Sequence, residues 1–170
     1  TVILSDLTAV DIIEALQAEV RRVAVAGTLR EINLQKSGGL VSFSKYFNAL
    51  LVDVEAVDLV PVIEEDFTGF LYYDDKGVWP GYVAHIKNGA TQAQISNLIA
   101  KFENADVAKL YVTDPGSMEN FKNGPYKGVA VRYAKFTKPG ASLNYGIFGE
   151  NLVIATSFNT LKAGVAALGL

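Results

Sequence analysis

His85 is the only histidine among 170 residues, and it is the first side chain to consider for proton transfer. One histidine cannot build a His-based metal site, and a general base needs an acid or a nucleophile in contact with it. His85 alternates with Ala84 and Ile86, as expected for one face of a β-strand. We therefore expect His85 to be structural or solvent-facing. A hydrolase that combines carboxylates with His85 stays an alternative, and it requires His85 beside an acid in a cleft.

The acidic side chains form two short groups, Asp74-Asp75 and residues 64–66. A calcium site needs six or more oxygen ligands at organised spacing, and neither group continues into an EF-hand pattern. A turn and a solvated loop explain these residues better. Ser42 and Lys45 match the bare Ser-x-x-Lys spacing, but the Ser-Asp-Asn and Lys-Thr-Gly motifs that accompany it are absent. We interpret Ser42 as a helix N-cap.

Other sequence signatures of catalysis are missing. The sequence contains no Gly-x-Ser-x-Gly nucleophile elbow, no Gly-x-Gly-x-x-Gly fingerprint and no phosphate-binding Gly-Lys-Ser/Thr loop. It also contains no cysteine, which excludes disulfides, thiolate catalysis and Cys-ligated metal sites. We therefore predict that the protein is not an enzyme and that it has no catalytic residue, metal site or cofactor.

A dense group of aromatic residues offers a different kind of chemistry. Its members with a polar edge are Tyr72, Tyr73, Trp79 and Tyr82. Tyr and Trp are enriched at interfaces because they bury a large area at low entropy cost. These four residues are the predicted binding surface. The alternative is that they fill the face of a sheet.

Composition limits the classes of partner. Apolar residues make up 50% of the chain and charged residues 19%, which is a low charge for a globular domain. We expect a sizeable core and some apolar surface left for a partner. The net charge is −3 and the basic residues are scattered. Nucleic-acid binding requires a basic stripe that displaces counterions, so no nucleic-acid partner is predicted.

The elements that position these residues follow from periodicity and punctuation. The first half predicts a helix over 8–23 that begins at Thr8, a strand over 28–35, a helix over 42–51 and a short helix ending near Val60. Residues 67–73 and 82–87 are predicted as a hairpin, with Pro80 at an edge or a bulge.

The second half predicts a helix over 91–103 with a Thr91–Gln94 capping box, and a possible strand over 107–112. A loop follows, and residues 126–168 then predict three strands and a helix. Short turns between consecutive strands indicate α+β: a mainly antiparallel sheet with helices packed on one face. The helix after the hairpin and the helix after the three strands suggest two similar halves. Residues 1–170 are expected to form a single domain.

Three segments together carry a resemblance. A helix leads into Gly-Thr-Leu-Arg-Glu-Ile at 27–32, a Phe-Thr-Gly strand at 67–69 precedes a hairpin and a long helix, and the chain ends with Leu-Val-Ile-Ala-Thr-Ser at 152–157 and a helix. This arrangement resembles the extracytoplasmic part of uncharacterised bacterial proteins with a single N-terminal membrane span. The resemblance implies an extracytoplasmic or cell-surface location and a membrane anchor upstream of Thr1. It implies no activity.

The first functional hypothesis is a non-enzymatic domain of a protein–protein or cell-surface assembly, with a protein partner or a second copy bound through the aromatic surface. An alternative from another class is a module that binds a small molecule or lipid in an apolar pocket between sheet and helices. The carboxylate-based hydrolase is a third alternative.

Overall fold

The computed structural model describes residues 1–22 and 25–170, and that part of the chain contains five α-helices. They are α1 (Ala9–Val20), α2 (Phe43–Leu50), α3 (Ala56–Leu59), α4 (Gln92–Asn104) and α5 (Phe158–Ala167). All five were predicted from the sequence, although α1 ends at Val20 and the predicted end at residue 23 lies outside the described residues. Within the described ranges, no helix combines the length and apolarity needed to cross a membrane.

The same part of the chain contains ten strands in two sheets. The small sheet has the order β1-β3-β4, from β1 (Val2–Ile3), β3 (Leu34–Lys36) and β4 (Gly39–Leu40). The main sheet has the order β2-β5-β6-β10-β9-β8-β7, and all its neighbouring strands are antiparallel. Its strands are β2 (Leu29–Ile32), β5 (Ile63–Asp74), β6 (Gly77–Ile86), β7 (Lys122–Tyr126), β8 (Val129–Lys135), β9 (Ser142–Phe148) and β10 (Asn151–Ala155). The predicted α+β class with a mainly antiparallel sheet is confirmed.

Helices cover both faces of the main sheet. Along β10, Ile154 joins the large core under α1 to α4, whereas its neighbours Val153 and Ala155 join a smaller core under α5. The aromatic ring of Phe70 lies against α5, where the backbone of Gly164 allows its close approach. Four helices therefore lie on one face as predicted, and α5 corrects that prediction by covering the other face.

The main sheet contains two hairpins, β5–β6 and β9–β10, that meet at the β6–β10 pair. One strand, β2, lies outside the first hairpin, and two strands, β8 and β7, lie outside the second. A helix follows each hairpin, α4 or α5, but the two helices lie on opposite faces. The two halves therefore share a hairpin followed by a helix, and they differ in the number of outer strands and in the face that the helix covers.

Side-chain caps fix the helix starts. Thr8 and Ser157 each accept a hydrogen bond from the backbone N–H three residues later, at the first turns of α1 and α5. The Thr91–Gln94 capping box of α4 is complete, as predicted. Ser42 occupies the N-cap position of α2, but its side chain makes no capping bond. Instead the Glu65 carboxylate accepts hydrogen bonds from the N–H and the hydroxyl of Ser44, which satisfies a free donor of that helix end.

Three predicted strands differ from the structure. Residues 28–35 form two strands that belong to different sheets, β2 and β3. The segment 107–112 was predicted as a possible strand, but Val107–Leu110 is a 3-10 helix, which buries Val107 and Leu110 at a spacing of three. The strand predicted from residue 126 is interrupted at Lys127-Gly128, where both residues have positive φ and turn β7 into β8.

Pro80 lies in the central strand β6 and not at an edge or a bulge. Its carbonyl accepts hydrogen bonds from the backbone N–H and the hydroxyl of Thr156, on the side of β10. In an antiparallel strand the N and the C=O of one residue point to the same side. The proline nitrogen therefore faces a position just beyond the end of β10, and the missing N–H removes no hydrogen bond to β5.

Candidate functional site

The four predicted binding residues do not form an exposed surface. Only 5% of Tyr73, 2% of Trp79 and 3% of Tyr82 is exposed, and Tyr72 is half-buried. The prediction of a solvent-facing aromatic surface is wrong, because it assumed that one face of the β5–β6 hairpin was open. Tyr73, Trp79 and Tyr82 belong to the large core under α1 to α4, and Tyr72 packs against it.

The buried aromatic residues have structural contacts instead. The Tyr82 hydroxyl lies 3.0 Å from the Tyr46 hydroxyl, inside the core, and burial raises the pKa of both phenols. The Trp79 indole N–H donates to Asp74, whose carboxylate also caps the turn between β5 and β6. Burial acts to raise the pKa of Asp74, but these donors outweigh it and hold the pKa below its ordinary value.

His85 and the acidic groups do not form a site. His85 Nε2 lies 3.5 Å from Glu150 Oε2, and both side chains are exposed on the surface. A general acid–base pair requires a cleft that holds the substrate, so this pair does not meet the condition of the hydrolase alternative. No group of three or more His, Asp or Glu side chains in the described ranges is placed to hold a metal ion.

An apolar pocket lies between α4 and the main sheet. Its walls come from α2, the α3 region, the start of β5, parts of β6, β9 and β10, and the inner side of α4. The lining residues are Phe43, Phe47, Val54, Leu59, Val62, Ile63, Ile86, Ile95, Leu98, Ile99, Phe102, Tyr145, Ile147, Leu152 and Ile154. Only carbon atoms face its interior in the part of the chain described, and its volume is about 30 Å³. This is room for about one water-sized group, in a place that offers water no hydrogen-bond partner.

A wider cleft adjoins this pocket on the same face of the sheet, where α4 meets β8 and β9. Its volume is about 350 Å³, and Ile99, Tyr145 and Ile147 line both spaces. Val129, Ala130, Gly146 and the side chain of Arg132 complete it. The cleft is open to solvent, and these three shared residues form the wall between it and the apolar pocket.

Two residues of the cleft wall, Arg132 and Tyr145, belong to a polar cluster. Arg132 donates two hydrogen bonds to Glu103 of α4, Nε to Oε1 at 2.8 Å and Nη2 to Oε2 at 2.7 Å, and a third to Asn123 Oδ1 at 3.1 Å. The Tyr145 hydroxyl donates to the same Glu103 carboxylate. The guanidinium also lies over the Phe121 ring at 5.6 Å. Charge-assisted, bidentate contacts of this kind fix both side chains.

The electrostatics of the cluster follow from these bonds. The Arg132 guanidinium and the Tyr145 hydroxyl hold the pKa of Glu103 below its usual value of 4.5. Burial, together with the neighbouring Glu103 carboxylate, raises the pKa of Tyr145. At neutral pH the cluster is therefore an ion pair without net charge beside a neutral phenol.

The two halves of α4 are held differently. Its C-terminal half buries Leu98 and Phe102, and its Lys101 and Glu103 form ion pairs with Asp58 and Arg132. The N-terminal half, residues 92–97, is exposed except for Ile95, which is half-buried over the pocket. Local opening starts where few apolar contacts hold an element, so the N-terminal half is the side of the pocket that can move.

Sequence reasoning predicted the helix over 91–103 but not the site beside it. Glu103 is 29 residues from Arg132 and 42 from Tyr145, and no local pattern joins them. The sequence does place Arg132 and Tyr145 on two consecutive strands of the predicted meander. These two residues lie opposite each other in the register of β8 and β9, which would have identified this pair.

Comparison of the chain with family models, with curated proteins and with solved structures gives no match. The resemblance to extracytoplasmic domains, the location and the upstream anchor therefore remain predictions.

Proposed function

We propose that the protein is a non-enzymatic module that binds a small apolar or amphipathic molecule between α4 and the main sheet. The observation that carries this proposal is the wholly apolar pocket beneath α4, which adjoins an open cleft with one polar cluster in its wall. Ligand sites in proteins are typically concave and mostly apolar, with a few placed polar groups that orient the ligand. This corresponds to the second hypothesis drawn from the sequence.

The sizes of the two spaces indicate how a ligand would bind. The apolar pocket, at about 30 Å³, is much smaller than the roughly 150 Å³ of an apolar cavity that accepts benzene. The cleft has the size of a small ligand site. A ligand would therefore occupy the cleft and insert its apolar end beneath α4, with an outward shift of the helix's N-terminal half.

The test uses the full chain and 1-decanol as the probe. Native mass spectrometry would detect a ligand that copurifies, and thermal unfolding would be followed with increasing decanol. At ten times the dissociation constant, the expected stabilisation is about 1.4 kcal/mol. The variant Ile99→Trp fills the wall shared by pocket and cleft, so it should abolish the response.

The matched control is Ile13→Trp. Ile13 is also a half-buried isoleucine on a helix, but it lies on α1, away from the pocket. It should respond to decanol as the unaltered protein does. A chain without copurified ligand that also shows no thermal response to decanol would contradict the proposal. So would an Ile99→Trp variant that binds decanol normally.

Assembly with a protein partner or a second copy stays a second prediction, although its original aromatic surface is buried. The exposed apolar side chains that could serve it include Val52, Val57 and Val60 near α3. Light scattering with size-exclusion chromatography over a concentration series would measure self-association. A mass that stays at 18.3 kDa at every concentration would contradict a second copy as the partner.

A further inference from the structure

We propose that the cleft selects the head of the ligand, and that this head is uncharged and carries a hydroxyl group. The inference rests on the proposed function, because it assigns the chemistry of the same site. The ligand class is thus a long-chain alcohol or another neutral amphiphile with a hydroxyl head, with its chain in the pocket beneath α4.

The charges in the wall of the cleft argue against an ionic head. Arg132 and Glu103 form a bidentate ion pair, so each charge is already compensated by a fixed partner. An anionic head that approached Arg132 would also face the Glu103 carboxylate, and a cationic head that approached Glu103 would face the guanidinium. Either head would lose hydration without gaining a free counter-charge.

The unused hydrogen-bonding groups match a hydroxyl. A guanidinium has five N–H donors, and the bonds to Glu103 and Asn123 occupy three of those on Arg132 in the described part of the chain. Two donors remain for an oxygen of the ligand. The Tyr145 hydroxyl gives its proton to Glu103, which leaves its oxygen as an acceptor. A ligand hydroxyl can accept from Arg132 and donate to Tyr145 at the same time, whereas a quaternary ammonium can do neither.

The rest of the cleft gives the ligand its direction. The walls away from the cluster are apolar, from Ile99, Val129, Ala130 and Ile147, and two of these residues continue into the pocket. A chain attached to a head at Arg132 would therefore run along Ile99 and Ile147 toward the space beneath α4. The geometry assigns the polar end to the solvent side and the apolar end to the core.

The test compares three probes that share a ten-carbon chain and differ in the head: 1-decanol, sodium decanoate and decyltrimethylammonium. Each would be titrated into the full chain by isothermal calorimetry, with decanol below its solubility limit and the two ions below their micelle concentrations. We expect decanol to bind at least tenfold more tightly than either ion. Equal affinities for the three probes would overturn this inference and leave the proposed function standing. Binding of none of them would overturn both.

Two variants test the role of Arg132. In Arg132→Gln the Glu103 carboxylate loses its counter-charge, so decyltrimethylammonium should bind more tightly and the preference for decanol over this cation should fall below threefold. The control is Arg30→Gln, because Arg30 also pairs with a helical glutamate, Glu19, and both arginine side chains are 33% exposed. That control should retain the tenfold preference. An unchanged preference in Arg132→Gln would overturn the assignment, and the probe series on the unaltered protein decides the question even if a variant does not fold.

Discussion

Filling the pocket beneath α4 with one methylene group should stabilise the protein. Val62 is 2% exposed and lines the pocket, so Val62→Ile directs one additional carbon toward a space of about 30 Å³. Removing a cavity of that size recovers about 0.7 kcal/mol at about 24 cal/mol per Å³. Burial of one more methylene group contributes up to about 0.8 kcal/mol. The free energy of unfolding should therefore rise by about 0.7 to 1.5 kcal/mol, and the melting temperature by about 2–5 °C.

The assay is urea unfolding, with Val112→Ile as the matched control. Val112 is 3% exposed and lies away from the pocket, so the same added carbon has no space and should destabilise the protein by about 1–3 kcal/mol. Val62→Ile should also weaken decanol binding, because the side chain occupies the place of the ligand's apolar end. Loss of stability in Val62→Ile equal to that in Val112→Ile would refute the reasoning, since it would mean that the space beneath α4 does not exist in solution.

Three further changes test other contacts. Gly164→Ala places a Cβ 2.8 Å from the Phe70 ring. The free energy of unfolding in urea should therefore fall by about 1–3 kcal/mol, despite the better helix propensity of alanine. A rise in the free energy of unfolding would show that the ring can move. Replacing Tyr46 or Tyr82 by Phe leaves the other buried hydroxyl without its hydrogen-bond partner, which should lower the free energy of unfolding by about 1–3 kcal/mol. The double variant should lose less stability than the two single variants together, and strict additivity would contradict the pairing. Folding lowers the pKa of Glu103, so the stabilisation by its carboxylate is complete above the unfolded pKa of about 4.5 and is lost as pH falls through the native pKa. The free energy of unfolding in urea should therefore fall more steeply below pH 4.5 in the unaltered protein than in Glu103→Gln. An equal dependence on pH in the two proteins would contradict the assignment.

The elements of this fold are predictable because their signals are local. The Thr91–Gln94 capping box starts α4 within its own first turn, and Gly149 supplies the positive φ of the β9–β10 turn. Such signals depend only on neighbours a few residues away. The 3-10 helix at 107–110 was missed because its apolar residues suit a strand equally well, and only the absence of a partner strand in the described sheets decides against it.

The faces of the sheet could not be predicted in the same way. An alternating strand shows that two faces exist, but not what covers each of them. Tyr82 and Val83 are consecutive apolar residues of one strand, and nothing in the sequence marks which helices will cover each of them. In the structure Tyr82 lies in the large core under α1 to α4, whereas Val83 packs against the smaller core under α5. The error about the aromatic surface arose at this step, because Tyr73, Trp79 and Tyr82 lie on the face that α1 to α4 cover, and long-range contacts decide which face that is.

The unequal attachment of α4 connects this fold with the proposed function. If apolar burial alone positioned α4, every apolar residue that faces the sheet would be buried. Leu98 and Phe102 are buried, whereas Ile95 and Ile99 are only half-buried. The ion pairs of Lys101 and Glu103 fix the C-terminal half, so an outward movement of the N-terminal half would expose little more than two isoleucines. Full exposure of one such side chain costs about 1.5–3 kcal/mol, and each of these begins half-exposed. A ligand chain that covers Ile95 and Ile99 would offset this cost. The free energy of ligand binding would therefore be coupled to the local opening of the N-terminal half of α4.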